Sequence, residues 1–247
     1  MSNIDLLVIA PDHLIVPKGA SHRFDTPYGS IHAAVDQFGA WSGAWVAADA
    51  SPLAVIYAAR AAGATRVVEL VPVRPLNRLL EPGDLLLPDD MVDLTQQQRY
   101  TFFAGKGYGF LAQREPFCPE LRGALFAALR ERTPRSFVRA TYLAIEGTPY
   151  AAPNAGWEAD IAGTGVVPAS FLARELELCY AAVCVVGDQG IGADEDPSVA
   201  QPGNLLASAI ADALARLPAG RACACATAMQ QYRDRGDIGP DWRTWIG

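Results

Sequence analysis

The 247-residue sequence has no cationic excess: 20 Lys and Arg stand against 27 Asp and Glu, for a formal net charge of −7 and a pI near 5.0. That balance excludes a broad nucleic-acid-binding face, which needs clustered cations against phosphates. It leaves small anionic substrates open, because a local field need not follow net charge. No apolar run approaches the ~20 residues that a membrane helix needs, so no membrane partner is expected. Residues Met1 to Ala10 carry Asp5 inside their apolar run and lack a basic start, unlike a secretory leader. Long Ser/Gly linkers, charge blocks and internal repeats are absent, which predicts one domain over residues 1–247. There is no Gly-x-Ser-x-Gly elbow to support a serine hydrolase. The three histidines, His13, His22 and His32, have no metal-ligand spacing. Five cysteines, an odd number, predict reduced thiols in the cytoplasm. Cys223-Ala-Cys225 is shorter than the usual zinc knuckle, so no metal is expected there.

What is present suits a packed α/β domain. Half of the chain, 51%, is hydrophobic, enough for a substantial core. Ile4–Ile9, Arg66–Val71, Asp84–Leu87 and Tyr142–Ile145 read as short strands. Pro52–Ala62 reads as a helix ending at Gly63, and Pro119–Arg130 as an amphipathic helix with Leu121, Leu125, Ala128 and Leu129 on one face. The clearest unit is Ile161, a Gly-Thr-Gly turn, a helix over Pro168–Leu178 and a strand over Cys179–Val186. A final helix spans Pro202–Leu217. This alternation predicts a mixed, mostly parallel sheet flanked by helices, with ligands at the carboxyl ends of strands.

Several residues carry both a chemical and a plain reading. Asp188 ends an apolar strand, where a carboxylate can have a raised pKa and act as an acid, or can cap a turn. Gly163-Thr-Gly165 resembles part of a phosphate-cradling loop but also fits an ordinary tight turn. Asp89, Asp90 and Asp93 have the oxygens for a hard cation but read more simply as a solvated loop. Tyr150 and Phe110 lie near turns, where an aromatic ring either stacks on a planar base or packs in the core.

The order of Glu115-Pro-Phe-Cys-Pro119, Ile145-Glu-Gly-Thr-Pro-Tyr150 and Val185-Val-Gly-Asp188 resembles the purine nucleoside phosphorylase superfamily, most closely its methylthioadenosine phosphorylase branch. Thr26-Pro-Tyr-Gly29, Leu80-Glu-Pro-Gly-Asp84, Ala159-Asp160, Val166-Val-Pro168 and Cys223-Ala-Cys225 are similar to further family segments in the same order. The resemblance implies a nucleoside phosphorylase-like fold, a purine nucleoside substrate, phosphate as co-substrate with no other cofactor, and a homotrimer. It implies that Asp188 hydrogen-bonds purine N7 and stabilises the leaving base. By the same resemblance Tyr150 stacks on the base and Phe110 closes a neighbouring subunit's pocket.

On the phosphate side the sequence departs from the family. Ala10-Pro-Asp-His13 stands where the family has Gly-Gly-Thr-Gly, which puts Asp12 beside the expected phosphate. The family's Arg-His loop is missing between Ala48 and Ser51, and Pro72-Val-Arg-Pro75 replaces Ala-Cys-Gly-Ser. Thr164-Gly165 stands where a Met-Thr pair contacts ribose and phosphate, and Gly190 where a second base-reading aspartate is expected. Three routes follow. Arg74 supplies the missing anion contact and phosphorolysis survives. Alternatively, Asp12 or His13 activates water in a nucleosidase. In the third, the fold binds a ligand or partner without chemistry.

Overall fold

A computed structural model describes residues 3–14, 19–106, 111–147, 158–187, 203–218 and 220–246. Its eleven-stranded sheet starts with β1 (Leu6–Ala10), entirely buried, as its unbroken apolar run requires. An antiparallel meander follows: β2 (Ser21–Thr26), β3 (Gly29–Phe38) and β4 (Trp41–Ala47). Helix α1 (Pro52–Ala61) leads to β5 (Arg66–Pro75), then β6 (Leu85–Leu86) and β7 (Asp90–Asp93). Helix α2 (Pro119–Arg130) precedes β8 (Ser136–Phe137), β9 (Thr141–Ala144) and β10 (Ile161–Gly163). The chain continues through α3 (Ala169–Glu175), β11 (Cys179–Val186), α4 (Gly203–Arg216) and α5 (Gln230–Asp234).

Strand β5 is the spine. Its first half lies between β1 and β11, both parallel to it, and its last residues pair antiparallel with β10. Strands β9 and β7 extend the sheet from β10 in parallel. The order β2-β3-β4-β1-β5-β10-β9-β7, with β11, β6 and β8 branching from β5, is the mixed and mostly parallel sheet expected from the alternation.

Alternation along β11 divides the core. Tyr180, Ala182 and Cys184 face a cluster with α1, α3 and α5, whereas Cys179, Ala181 and Val183 face one with α2 and α4. Helices therefore cover both faces of the sheet. Among the described residues no helix is long and apolar enough to cross a membrane.

The departures from the expected elements have local causes. Helix α3 stops at Glu175 rather than reaching Leu178, because Glu177 turns left-handed, with φ 58°. The Glu177 carboxylate is buried and holds Arg233 at 3.4 Å and Arg243, which fastens the C-terminal residues to this turn. The expected strand Asp84–Leu87 shrinks to β6. Asp84 is instead buried in an ion pair with Arg135. The acidic cluster is not a solvated loop. Asp90 to Asp93 form β7, Asp89 accepts the Ala140 amide at 3.0 Å, and Asp93 accepts the Thr95 amide at 2.9 Å.

Candidate active site

Four strand exits meet at one level of β5. Strand β1 has Ile9 opposite Glu69, so its exit turn, Asp12–Leu14, follows at the level of the residues just after Leu70. Strand β11 has Val186 opposite Val73, and the Gly187 amide donates to the Val73 carbonyl at 2.9 Å. Strand β10 runs the other way, with Ala162 opposite Arg74, so Thr164 emerges beside Pro72 and Val73. Strand β9 follows β10, and the Ile145 amide donates to the Gly163 carbonyl at 3.0 Å. Thus Asp12, Arg74, Glu146, Thr164 and Gly187 share one end of the sheet, where open α/β folds bind ligands.

The turn after β10 is held from below by a buried carboxylate. Glu69, 6% exposed in the middle of β5, accepts the Val166 amide at 3.0 Å and the Tyr180 hydroxyl. Burial pushes its pKa up, against the pull of those two hydrogen bonds. From the other side the Tyr142 hydroxyl donates to the Gly165 carbonyl at 3.1 Å. Gly165 is required by close approach: a Cβ there would lie 2.6 Å from Glu69 Oε1 and 3.0 Å from Val71 Cγ1. Val166 adopts φ 74°, a costly conformation for a β-branched residue, so the packing around this turn over-determines it.

The structure brings together only part of the residue set expected from sequence. Thr164 is exposed and Arg74 half-buried where β10 crosses β5. Asp12 and His13 are exposed at the β1 exit. Ala48 donates its amide to the Ala10 carbonyl at 2.9 Å, so the loop between Ala48 and Ser51 is a tight turn directly before α1. Asp188, Tyr150 and Phe110 lie outside the described residues. Glu146, in the same segment as Tyr150, accepts the Gln96 and Gln97 amides at 3.0 and 2.7 Å.

Sequence reasoning passed over Glu69. The signal was available: a single acid inside the apolar run Val67–Val71 must find partners when buried. It also passed over Glu175, which burial raises to about 7 and which accepts the Phe102 amide at 2.8 Å. That contact fixes the turn after Thr101 against α3. A cavity of about 660 Å³ opens beside it, with Asp90, Arg99, Tyr100, Gln113 and Phe171 among its walls. Its walls come from β7, α3 and residues 98–101, 113 and 116 and include none of Asp12, Arg74 and Thr164. The strand exits, which gather the polar side chains of Asp12, Arg74, Glu146 and Thr164, are the better candidate for chemistry.

Comparison with known proteins places the chain in a known family. A family model described as the phosphorylase superfamily matches residues 47–218. The S-methyl-5'-thioadenosine phosphorylase of Thermofilum pendens is 28% identical over 246 residues, covering 90% of this chain and 93% of that protein. A probable 6-oxopurine nucleoside phosphorylase of Dictyoglomus turgidum is 29% identical over 195 residues, covering 73% and 74%. Among solved structures, a methylthioadenosine phosphorylase from an antarctic soil metagenomic library superposes with a TM-score of 0.78 at 23% identity. That match covers 100% of this chain and 98% of the other and speaks for the fold alone. The Schistosoma mansoni methylthioadenosine phosphorylase in complex with tubercidin gives a TM-score of 0.75 at 18% identity, covering 96% and 100%.

Proposed function

The chain belongs to the phosphorylase superfamily, and from that premise we propose that it cleaves a purine nucleoside, methylthioadenosine-like, using phosphate. The observation that carries this reading is the meeting of four strand exits around β5 in a chain whose Thermofilum relative matches it almost end to end. A phosphate oxygen attacks C1′ of the pentose as the bond from C1′ to the purine nitrogen breaks. The bonding pair moves onto the purine, which takes a proton, and the products are a free base and a pentose 1-phosphate.

Within this proposal Asp188 donates to purine N7, where charge develops, and Tyr150 stacks on the base. Arg74 holds the phosphate, since a guanidinium suits bidentate oxyanion binding. Thr164 contacts the ribose from a turn that Glu69 and Tyr142 keep in place. Phe110 closes the pocket of a neighbour in a homotrimer, the assembly to be checked by light scattering.

The test is chromatography of base release from a panel of purine nucleosides, methylthioadenosine included, with and without phosphate. Release that requires phosphate is expected, and Arg74→Ala should raise the phosphate concentration needed. Release without phosphate would overturn phosphorolysis and make Asp12 or His13 the base of a hydrolase. No release from any nucleoside would overturn catalysis altogether.

A further inference from the structure

At the opposite end of β11 from the strand exits, four cysteines from three parts of the chain meet. The sulfurs of Cys118, Cys179, Cys223 and Cys225 all lie within 4.8 Å of one another. Cys118 occupies the N-cap position of α2, Cys179 opens β11, and Cys223 and Cys225 bracket the start of a 3-10 turn at Ala224–Thr227. Cys184, on the other face of β11, is not part of the group.

The thiols are positioned by other contacts. The Cys118 amide donates to the Tyr180 carbonyl at 2.8 Å and the Cys179 amide to the Thr65 carbonyl at 3.0 Å. Glu120, in the first turn of α2, accepts the Ala222 and Cys223 amides at 3.2 Å each, which seats the Cys-Ala-Cys segment against that helix. Arg221 donates to the Glu177 carbonyl at 2.6 Å and comes within 3.9 Å of Cys179 Sγ. Cys118 and Cys179 are buried, whereas Cys223 and Cys225 are half-exposed, leaving a path for an ion.

We propose that these four cysteines form a tetrathiolate site for a zinc-class divalent metal, structural in role and separate from the nucleoside site. A tetrahedral zinc with Zn–S of about 2.3 Å places its sulfurs roughly 3.8 Å apart. The observed spread is within about an ångström of that, with Cys179 and Cys223 at 3.3 Å. Thiolate is the ligating form, so metal uptake releases the thiol protons. Four thiolates around a divalent ion leave two negative charges. Arg221 and the positive end of α2 face that excess. The Cys-x-Cys spacing, short for a usual knuckle, works here because the other two ligands come from α2 and β11 rather than from a second knuckle.

The full chain, purified under reductant and without chelator, should carry about one equivalent of zinc by elemental analysis. Titration of the metal-free protein with Co(II) should give the sulfur-to-cobalt charge-transfer and ligand-field bands of tetrahedral thiolate coordination. Cys225→Ser should weaken the charge-transfer band by about a quarter or more and shift the ligand-field bands, as loss of one of four thiolates requires, and Cys184→Ser should leave both unchanged. Arg221→Ala should weaken metal binding by about 10–100-fold, as expected for a group that only supports a ligand. Should the variants fail to fold, the cobalt titration of the unaltered chain still decides. Absence of both zinc and the cobalt bands would overturn the site. Recovery of the four cysteines as two disulfides from the reduced preparation would overturn it equally.

Discussion

The two ends of β11 are built for different tasks. At its exit, Gly187 meets Val73 beside Thr164 and Arg74, on turns with exposed polar side chains and a left-handed valine. At its start, Cys179 lies among three other thiols, and the neighbouring Glu177 gathers two arginines. Exposed polar turns collect at the first end and ties between distant segments at the second, while each end carries one left-handed residue, Val166 or Glu177. Eight residues of extended chain, roughly 25 Å, separate the two. Substitutions at one end should therefore be readable with little interference from the other.

The sharpest way to break that division is Glu177→Ala. It strands Arg233 and Arg243, and because those arginines are partly solvated the loss should be about 2–4 kcal/mol, at or below the range for breaking a fully buried pair. Urea denaturation measures it. Turnover per folded molecule should stay within about twofold, since the site lies at the far end. A large fall in that quantity would mean that the two ends are coupled.

Glu175→Gln comes next and appears in the pH dependence. A carboxyl whose folded value is about 7, above the ordinary 4.5, binds its proton more tightly in the folded state. Stability from this group is thus full below pH 4.5 and is lost as pH rises through 7. The span corresponds to roughly 3 kcal/mol at most. The variant should be less sensitive over that window and more stable than the parent above pH 7, as read from melting temperature against pH. An unchanged pH profile would remove Glu175 as its source.

Gly165→Ala acts at the exit end. The new methyl meets Glu69 and Val71, so the turn must shift, at about 1–3 kcal/mol in stability. Activity should fall by at least about tenfold, because a displacement of an ångström in a positioning loop is costly. Stability lost without activity would detach this turn from the site. The smallest effect belongs to Tyr180→Phe, which removes one of the two donors to Glu69 and should cost about 1–2 kcal/mol in stability.

Legibility in the sequence followed the range of the forces involved. Helix α2 was placed at both ends because Pro119 sits at its start and its apolar stripe is regular. Strand β11 was placed because both of its faces are buried, giving an unbroken apolar run. The β2–β4 meander was not read. Strands β2 and β3 bury residues only in part, so neither alternation nor a continuous run stands out along them. The sequence flags Glu69 as a lone acid in an apolar run but not what satisfies it, because its partners, Val166 and Tyr180, are 97 and 111 residues away. The thiol cluster was hidden for the same reason, since Cys179 and Cys223 are 44 residues apart. In both cases tertiary folding, rather than local spacing, assembles the group. The expected role of Thr164 came from its place in the family pattern and that of Arg74 from guanidinium chemistry where the pattern is lost, and the register of β10 against β5 gives those two residues a common place.

One consequence of the long strand β5 concerns how such a molecule can change. The turns at the sheet's exit end hang from it through β1, β10 and β11 as separate attachments, each joined by its own backbone hydrogen bonds. A turn can then be shortened or rewritten while its neighbours keep their register. An inserted or deleted residue within β5 would instead shift all of those attachments at once. The fold thus separates innovation from inheritance: new chemistry can be tried one turn at a time, on a strand that tolerates almost no change in length.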